Sequence, residues 1–231
     1  MTETKREVIE KDHNTEVVDR AKDFWGQYGR IILIASTAII LLGAAYLAYK
    51  YLVKGPQEEK ASEAIFKAEE YYRADSLNIA LNGDGINAGF LKIIDKYGST
   101  KAGNLAKFYA GSIFLKQGNF AKAAGHLKDF STDSKMVQAR GYKLLGDAYA
   151  ESGKNADALD AYKKAANHFK EDEMNSSDYL FTAAYFADRV MNNKKEAIEL
   201  FKDLKEKYPR TEKGFEADKF LAQLGVYKED K

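Results

Sequence analysis

The chain has 231 residues, 45% hydrophobic and 31% charged, with a formal charge of +1 at pH 7. That length holds one repeat array or compact domain plus an appendage, and the balanced charge lacks the basic excess that neutralises phosphates, so nucleic acid is not expected as a partner. Cysteine is absent and only two prolines occur, which removes disulfides, thiolate metal sites and cysteine nucleophiles and favours long helices over a turn-rich β architecture.

Residues 1–14 are polar and mixed in charge, a composition that predicts disorder. Val17, Val18, Ala21, Phe24, Trp25 and Tyr28 then recur at the spacing of one helix face. Such a face suits a membrane surface or a partner helix, and a plain helical lead-in fits the spacing as well.

Between Arg30 and Lys50 lie nineteen residues without a charge, IILIASTAIILLGAAYLAY. As a helix, residues 31–53 reach roughly 35 Å against a hydrocarbon thickness of about 30 Å, so the segment is predicted to span a bilayer and contact lipid. Trp25 and Tyr28 before it, and Tyr46, Tyr49 and Tyr51 at its far end, supply the interfacial rings. A thirty-residue leader with six basic and seven acidic groups is unlike a cleavable signal. Four basic residues on each flank leave orientation open.

Lys54, Gly55, Pro56 and Gln57 read as a linker, because proline cannot continue a helix. The predicted division is therefore a tail at 1–30, a transmembrane helix at 31–53, a linker at 54–57 and a helical domain at 58–231. Within that domain, apolar periodicity predicts helices near 58–81, 86–97, 101–117, 120–130, 134–152, 155–169, 176–192, 194–207 and 212–224. Tyr142, Leu145, Gly146, Tyr149, Gly153, Ala158, Tyr162 and Ala165 fall at positions 4, 7, 8, 11, 15, 20, 24 and 27 of a 34-residue unit. Thirty-five residues upstream, Ala110, Gly111, Phe114, Gly118, Ala123, Leu127 and Phe130 repeat the pattern.

A third unit is partial, with Ala197, Phe201, Leu204 and Pro209 in its second half, and Phe90, Ile93, Tyr97 and Thr100 echo that half. Ala217, Phe220, Leu221 and Leu224 read as a closing helix. This pattern is similar to the tetratricopeptide repeat, in which small residues at 8 and 20 let paired helices approach. The fold class expected is all-α: one N-terminal transmembrane helix, then a solenoid of three to four hairpins plus a cap.

Nothing in the sequence suggests a reaction or a cofactor. His13, His126 and His168 have no second ligand at helical spacing. No phosphate-binding, nucleophile-elbow or zincin motif occurs, and Asn82 to Gly85 reads as a turn rather than a calcium loop. An enzyme, a metal site and a small-molecule substrate are therefore not expected.

The groove of a hairpin stack is the better candidate site, lined by positions 2, 5, 9, 12 and 13 of each first helix. These are Leu105, Phe108, Ser112, Leu115 and Lys116, then Arg140, Lys143, Asp147, Ala150 and Glu151, then Tyr179, Thr182, Phe186, Arg189 and Val190. Aromatic and basic groups together suit an extended peptide or a partner helix. Arg140 and Lys143 also fit a carboxylate clamp, against which Asp147 argues. Within the membrane segment, Ser36, Gly43, Ala44 and Tyr46 offer a face of small and aromatic residues for lateral contacts.

The polar tail, the D-F-W-x-x-Y-G lead-in at Asp23 to Gly29, the single span and the Tyr-rich repeats together resemble the YfgM family of ancillary SecYEG translocon subunits. The K-Y-x-x-T endings at Lys96 to Thr100 and Lys207 to Thr211 resemble repeat proteins of Bacteroidetes-type bacteria. The resemblance implies a non-catalytic scaffold in the bacterial inner membrane, with a cytoplasmic N-terminus and periplasmic repeats. It further implies a SecYEG-type translocon and a PpiD-type periplasmic chaperone as partners. The tail is longer than the family pattern. A regulatory or structural module of another envelope assembly, in cell-wall or division machinery, is the competing reading.

Overall fold

The computed structural model describes residues 3–226, with side chains from Val17 onward. Its elements are α1 (Glu3–Ala48), a π-helical segment (Tyr49–Lys54), α2 (Gly55–Arg73), α3 (Leu77–Asn82), α4 (Phe90–Tyr97), α5 (Lys101–Lys116) and α6 (Phe120–Lys128). They continue with α7 (Lys135–Glu151), α8 (Asn155–His168), α9 (Glu173–Arg189), α10 (Lys194–Lys207) and α11 (Glu212–Gln223). No strand occurs among the described residues, only an isolated antiparallel bridge between Gly83 and Ala88. The chain divides into two units at Pro56 and Gln57.

In the first unit α1 is helical from Glu3, so the disorder expected of residues 1–14 does not hold for residues 3–14. The first glycine is Gly26 and no proline precedes Pro56, so nothing breaks the helix. The apolar stretch from Ile31 is exposed, with Ile39, Leu42 and Tyr46 between 64% and 71% accessible. It is long and apolar enough to cross a membrane, and none of its most apolar window is buried. A soluble core helix would bury that window.

The expected linker at 54–57 is helical instead. Lys54 ends the π segment, Gly55 opens α2, and the Gly55 N–H donates to the Lys50 carbonyl in the wider π pattern. Pro56 stands in the first turn of α2, where its missing N–H is least missed, and the π segment accommodates the interruption.

The second unit stacks hairpins. Its N-terminal part holds α2, α3 and α4, with α4 packed on α5 and Tyr72 of α2 meeting Phe90 of α4 at 6.4 Å, and the hairpins that follow are α5 with α6, α7 with α8, and α9 with α10, closed by α11. A single helix expected at 58–81 breaks at Asp75, whose φ of 55° is left-handed. One apolar cluster runs from Ala61 and Ile65 through Phe90, Ile93, Ile113 and Phe130 to Leu145. A second runs from Ala158 and Tyr162 through Ala184, Phe201 and Leu204 to Leu221. Tyr149 packs against both.

Small residues set the closeness of each pair. A Cβ on Gly111 would lie 2.5 Å from Leu127, and one on Gly146 would lie 2.5 Å from the Tyr162 ring. The hairpin turns use Gly118 and Gly153 at φ near +70°, and Asn192 at 52° in the third.

Helix starts repeat a local motif. Thr100 Oγ1 accepts from the Gly103 N–H at 2.9 Å and donates to the Tyr97 carbonyl at 2.7 Å. Thr211 does the same with Gly214 at 3.1 Å and Tyr208 at 3.0 Å. A Cβ on Gly103 or Gly214 would lie 1.9 Å from the Tyr97 or Tyr208 carbonyl oxygen, so both positions need glycine.

Candidate partner-binding groove

The first helices α5, α7 and α9 carry the residues predicted to line the groove. On α5, Leu105 and Leu115 are half-buried against the first cluster, while Phe108 is 8% exposed. The Phe108 ring lies 5.4 Å from Phe130 and 5.7 Å from Tyr109. Ser112 is also buried and shares a 3.0 Å hydrogen bond with the Tyr72 hydroxyl of α2. Phe108 and Ser112 are thus core positions rather than contact positions, because neighbouring aromatic rings close over them. Lys116 is exposed, over the Tyr72 ring at 5.5 Å and 3.6 Å from the Asp75 carboxylate.

On α7, Arg140 is exposed, Lys143 and Asp147 pair at 2.8 Å, and the Tyr162 hydroxyl donates to Asp147 Oδ1 at 3.0 Å. Lys143 is thus engaged by the Asp147 carboxylate one turn along its own helix. Burial, and then the Asp147 carboxylate, push the Tyr162 phenol up from its ordinary range.

On α9 the register differs from the one expected. Asn193 N–H bonds to the Ala187 carbonyl, six residues back, whereas Lys154 N–H reaches five residues back to Tyr149. The extra residue before this turn moves positions 2, 5 and 9 to Asp178, Phe181 and Tyr185. Accordingly Tyr179 is half-buried and Phe186 is buried, edge-on to Tyr162 at 5.5 Å. Burial pushes Tyr179 up while the charge of Arg140 pulls it down. Arg189 is exposed, bonded to Gln223 at 3.1 Å and Asp188 at 2.9 Å, with its guanidinium 5.9 Å from the Tyr185 ring centre.

Of the positions that the repeat register assigns to the inner face, Arg140, Asp178, Tyr185 and Arg189 are exposed and the Lys143–Asp147 pair is half-buried. Asp178 is raised by burial, against the pull of Lys213. Phe181 is covered by α11 through Phe220 at 5.1 Å and the Lys213 ammonium at 4.8 Å. Asp178 and Tyr185 were missed in the sequence because the signal, one inserted residue near Met191, is invisible to a fixed-length repeat.

In the first unit, Ser36 donates to the Leu33 carbonyl at 3.0 Å. Gly43, seven residues on, shares its face and has nothing within 4 Å of a built Cβ. Ala44 and Tyr46 are exposed.

Asp84, His126 and His168 each make structural contacts. Asp84 accepts from the Ile86 N–H at 2.8 Å, the Asn87 side chain at 2.7 Å and the Tyr71 hydroxyl at 2.7 Å, a closed turn. Those bonds hold its carboxyl well below the usual range. His126 stacks on Phe114 at 5.5 Å, its pKa lowered by burial, and His168 meets the Tyr142 edge at 5.4 Å. The His13 side chain lies outside the described residues. No group of three candidate metal ligands occurs among the described residues.

Stacked helical hairpins with a mixed polar and aromatic inner face, joined to a long exposed apolar helix, define a repeat protein of the protein-interaction class. Residues 22–140 match the family described as a tetratricopeptide repeat-like domain, and residues 178–211 match the tetratricopeptide repeat itself. The chain belongs to the tetratricopeptide repeat-like domain family. Searches of curated proteins and of solved structures return no match.

Proposed function

We propose that the protein is a non-catalytic scaffold of the bacterial inner membrane, an accessory subunit of a SecYEG-type translocation channel. Residues 31–53 anchor it, the N-terminus faces the cytoplasm, and the hairpins face the periplasm. There the inner face recruits a PpiD-type chaperone or an emerging client. The observation that carries this reading is the pairing of a fully exposed apolar helix with a hairpin array that buries its own core. The YfgM-like lead-in and the aromatic flanks support the choice of channel.

Photo-crosslinkers at Tyr46, on the anchor, and Tyr185, on the inner face, test it in cells. Channel subunits trapped from Tyr46 and a chaperone or client from Tyr185 are the expected products. Recovery of cell-wall or division proteins alone would assign the scaffold to another envelope assembly. Protease added to spheroplasts should digest residues 58–231 if the orientation is as proposed.

A further inference from the structure

An open cavity lies between α10 and α11. In the three preceding hairpins, the first helix offers a small residue at position 8, namely Gly111, Gly146 and Ala184, and the second helix lays its position-24 side chain against that part of it. Leu127 and Tyr162 sit directly on their glycines, and Phe201 packs in the same cluster as Ala184. Thr211 and Gly214 match Thr100 and Gly103, which sets the register of α11. Asp218, Leu221 and Ala222 then occupy positions 4, 7 and 8, the places held by Tyr142, Leu145 and Gly146 in α7.

Those α11 positions line a cavity of about 550 Å³ together with Lys202 and Glu206 of α10 and with Val226, and the Lys205–Asp218 ion pair forms part of its wall, which leaves Lys202 as the cation of the lining that is not already paired with a lining acid. Ala222 is exposed there, whereas its counterpart Ala184 is fully buried.

The filled seats in the same chain state what fits. Their helices carry alanine, then a large residue four on, then an apolar residue seven on: Ala123, Leu127 and Phe130; Ala158, Tyr162 and Ala165; Ala197, Phe201 and Leu204. The charge pattern repeats as well. A lysine follows position 24 in each second helix, Lys128, Lys163 and Lys202, and an acid precedes the alanine of the next, Asp157 and Glu196. Lys163 bonds Glu196 at 2.6 Å across neighbouring hairpins. Lys202 has no ion-pair or hydrogen-bond partner among the described residues.

We propose that this seat docks an amphipathic α-helix of a partner protein bearing an acid, then alanine, then an aromatic or leucine, then an aliphatic residue on one face, its acid pairing with Lys202. The surface uses other positions than the inner face and stands independently of the Sec assignment.

The test is fluorescence anisotropy of a labelled, helix-stapled peptide of residues 193–207 against the full-length protein in detergent micelles. Saturable binding is expected, and Ala222→Trp, which fills the seat, should weaken it about tenfold with unchanged circular dichroism. Lys202→Glu should weaken it too, and a peptide with lysine in place of Glu196, the acid that precedes its alanine, should regain affinity for that variant. Absence of saturable binding overturns the proposal, as does affinity unaffected by Ala222→Trp, the sign that the peptide displaces α10. Failure of the charge swap would also overturn it. A dimer in light scattering that Ala222→Trp dissolves would put a second copy in the seat and overturn the proposal equally.

Discussion

Tyr162 shows how much one side chain does in this fold. Its ring covers Gly146, its edge meets Phe186 and its hydroxyl bonds Asp147, which in turn holds Lys143. Tyr162→Phe removes one buried hydrogen bond and should cost about 1 kcal/mol in chemical denaturation. Gly146→Ala drives a methyl into the same ring and should cost about 1–3 kcal/mol. The alkaline limb of stability follows from the same chemistry. Burial, with Glu69 nearby, pushes the Tyr109 phenol up to about 12, and Tyr162 is raised as well. The unfolded chain releases these protons near pH 10 while the folded one keeps them, so stability is full below about pH 10 and falls as pH rises toward 12. Melting temperatures across that window should flatten in Tyr109→Phe and Tyr162→Phe; an unchanged slope in both would assign the loss to other groups. The sequence shows Gly146 and Tyr162 at their repeat positions. It does not show that Phe108 and Phe186 are closed over, because position numbers say which way a residue faces and not what a neighbouring helix brings to cover it.

Helix boundaries were legible where caps and breakers mark them and misread where a residue plays against type. Thr100 and Thr211 announce α5 and α11. Asp75 ends α2 with a left-handed turn although no glycine or proline stands there, and Pro56, read as a stop, lies inside a first turn. The duplicated Thr motif yields a paired prediction. Thr100→Ala should cost about 1 kcal/mol as a lost cap, and Gly103→Ala more, because its clash is with the rigid carbonyl of Tyr97 rather than with a side chain that can move. Urea denaturation of both variants, and of Thr211→Ala and Gly214→Ala, measures whether the two copies are equivalent.

Across the hairpin array, stability is split between two apolar clusters that meet at Tyr149. Arrays of this kind stay cooperative only while interfaces between neighbours are strong. Tyr149→Ala should therefore broaden the unfolding transition and lower its apparent m value, where an equally severe change inside one cluster, such as Leu204→Ala, shifts the midpoint instead. The all-α class and the exposed apolar helix were legible from composition and length, because a charge-free stretch of nineteen residues and a 34-residue period are signals that no local detail overrides. The first helix of the third hairpin was not, since a single inserted residue before its turn offsets the side chains of α9 by a hundred degrees from the places a fixed-length repeat assigns them, while Ala197, Phe201 and Leu204 beyond the turn keep theirs.

Gly111, Gly146, Ala184 and Ala222 form a series in which the space beside the backbone opens along the chain. The first two sites admit no atom beyond hydrogen, the third holds a methyl, and the last faces open volume. Evolutionary freedom should widen in the same order: in a saturation library scored for folded protein, the first two codons would tolerate almost nothing, the third a few small residues and the fourth nearly all twenty.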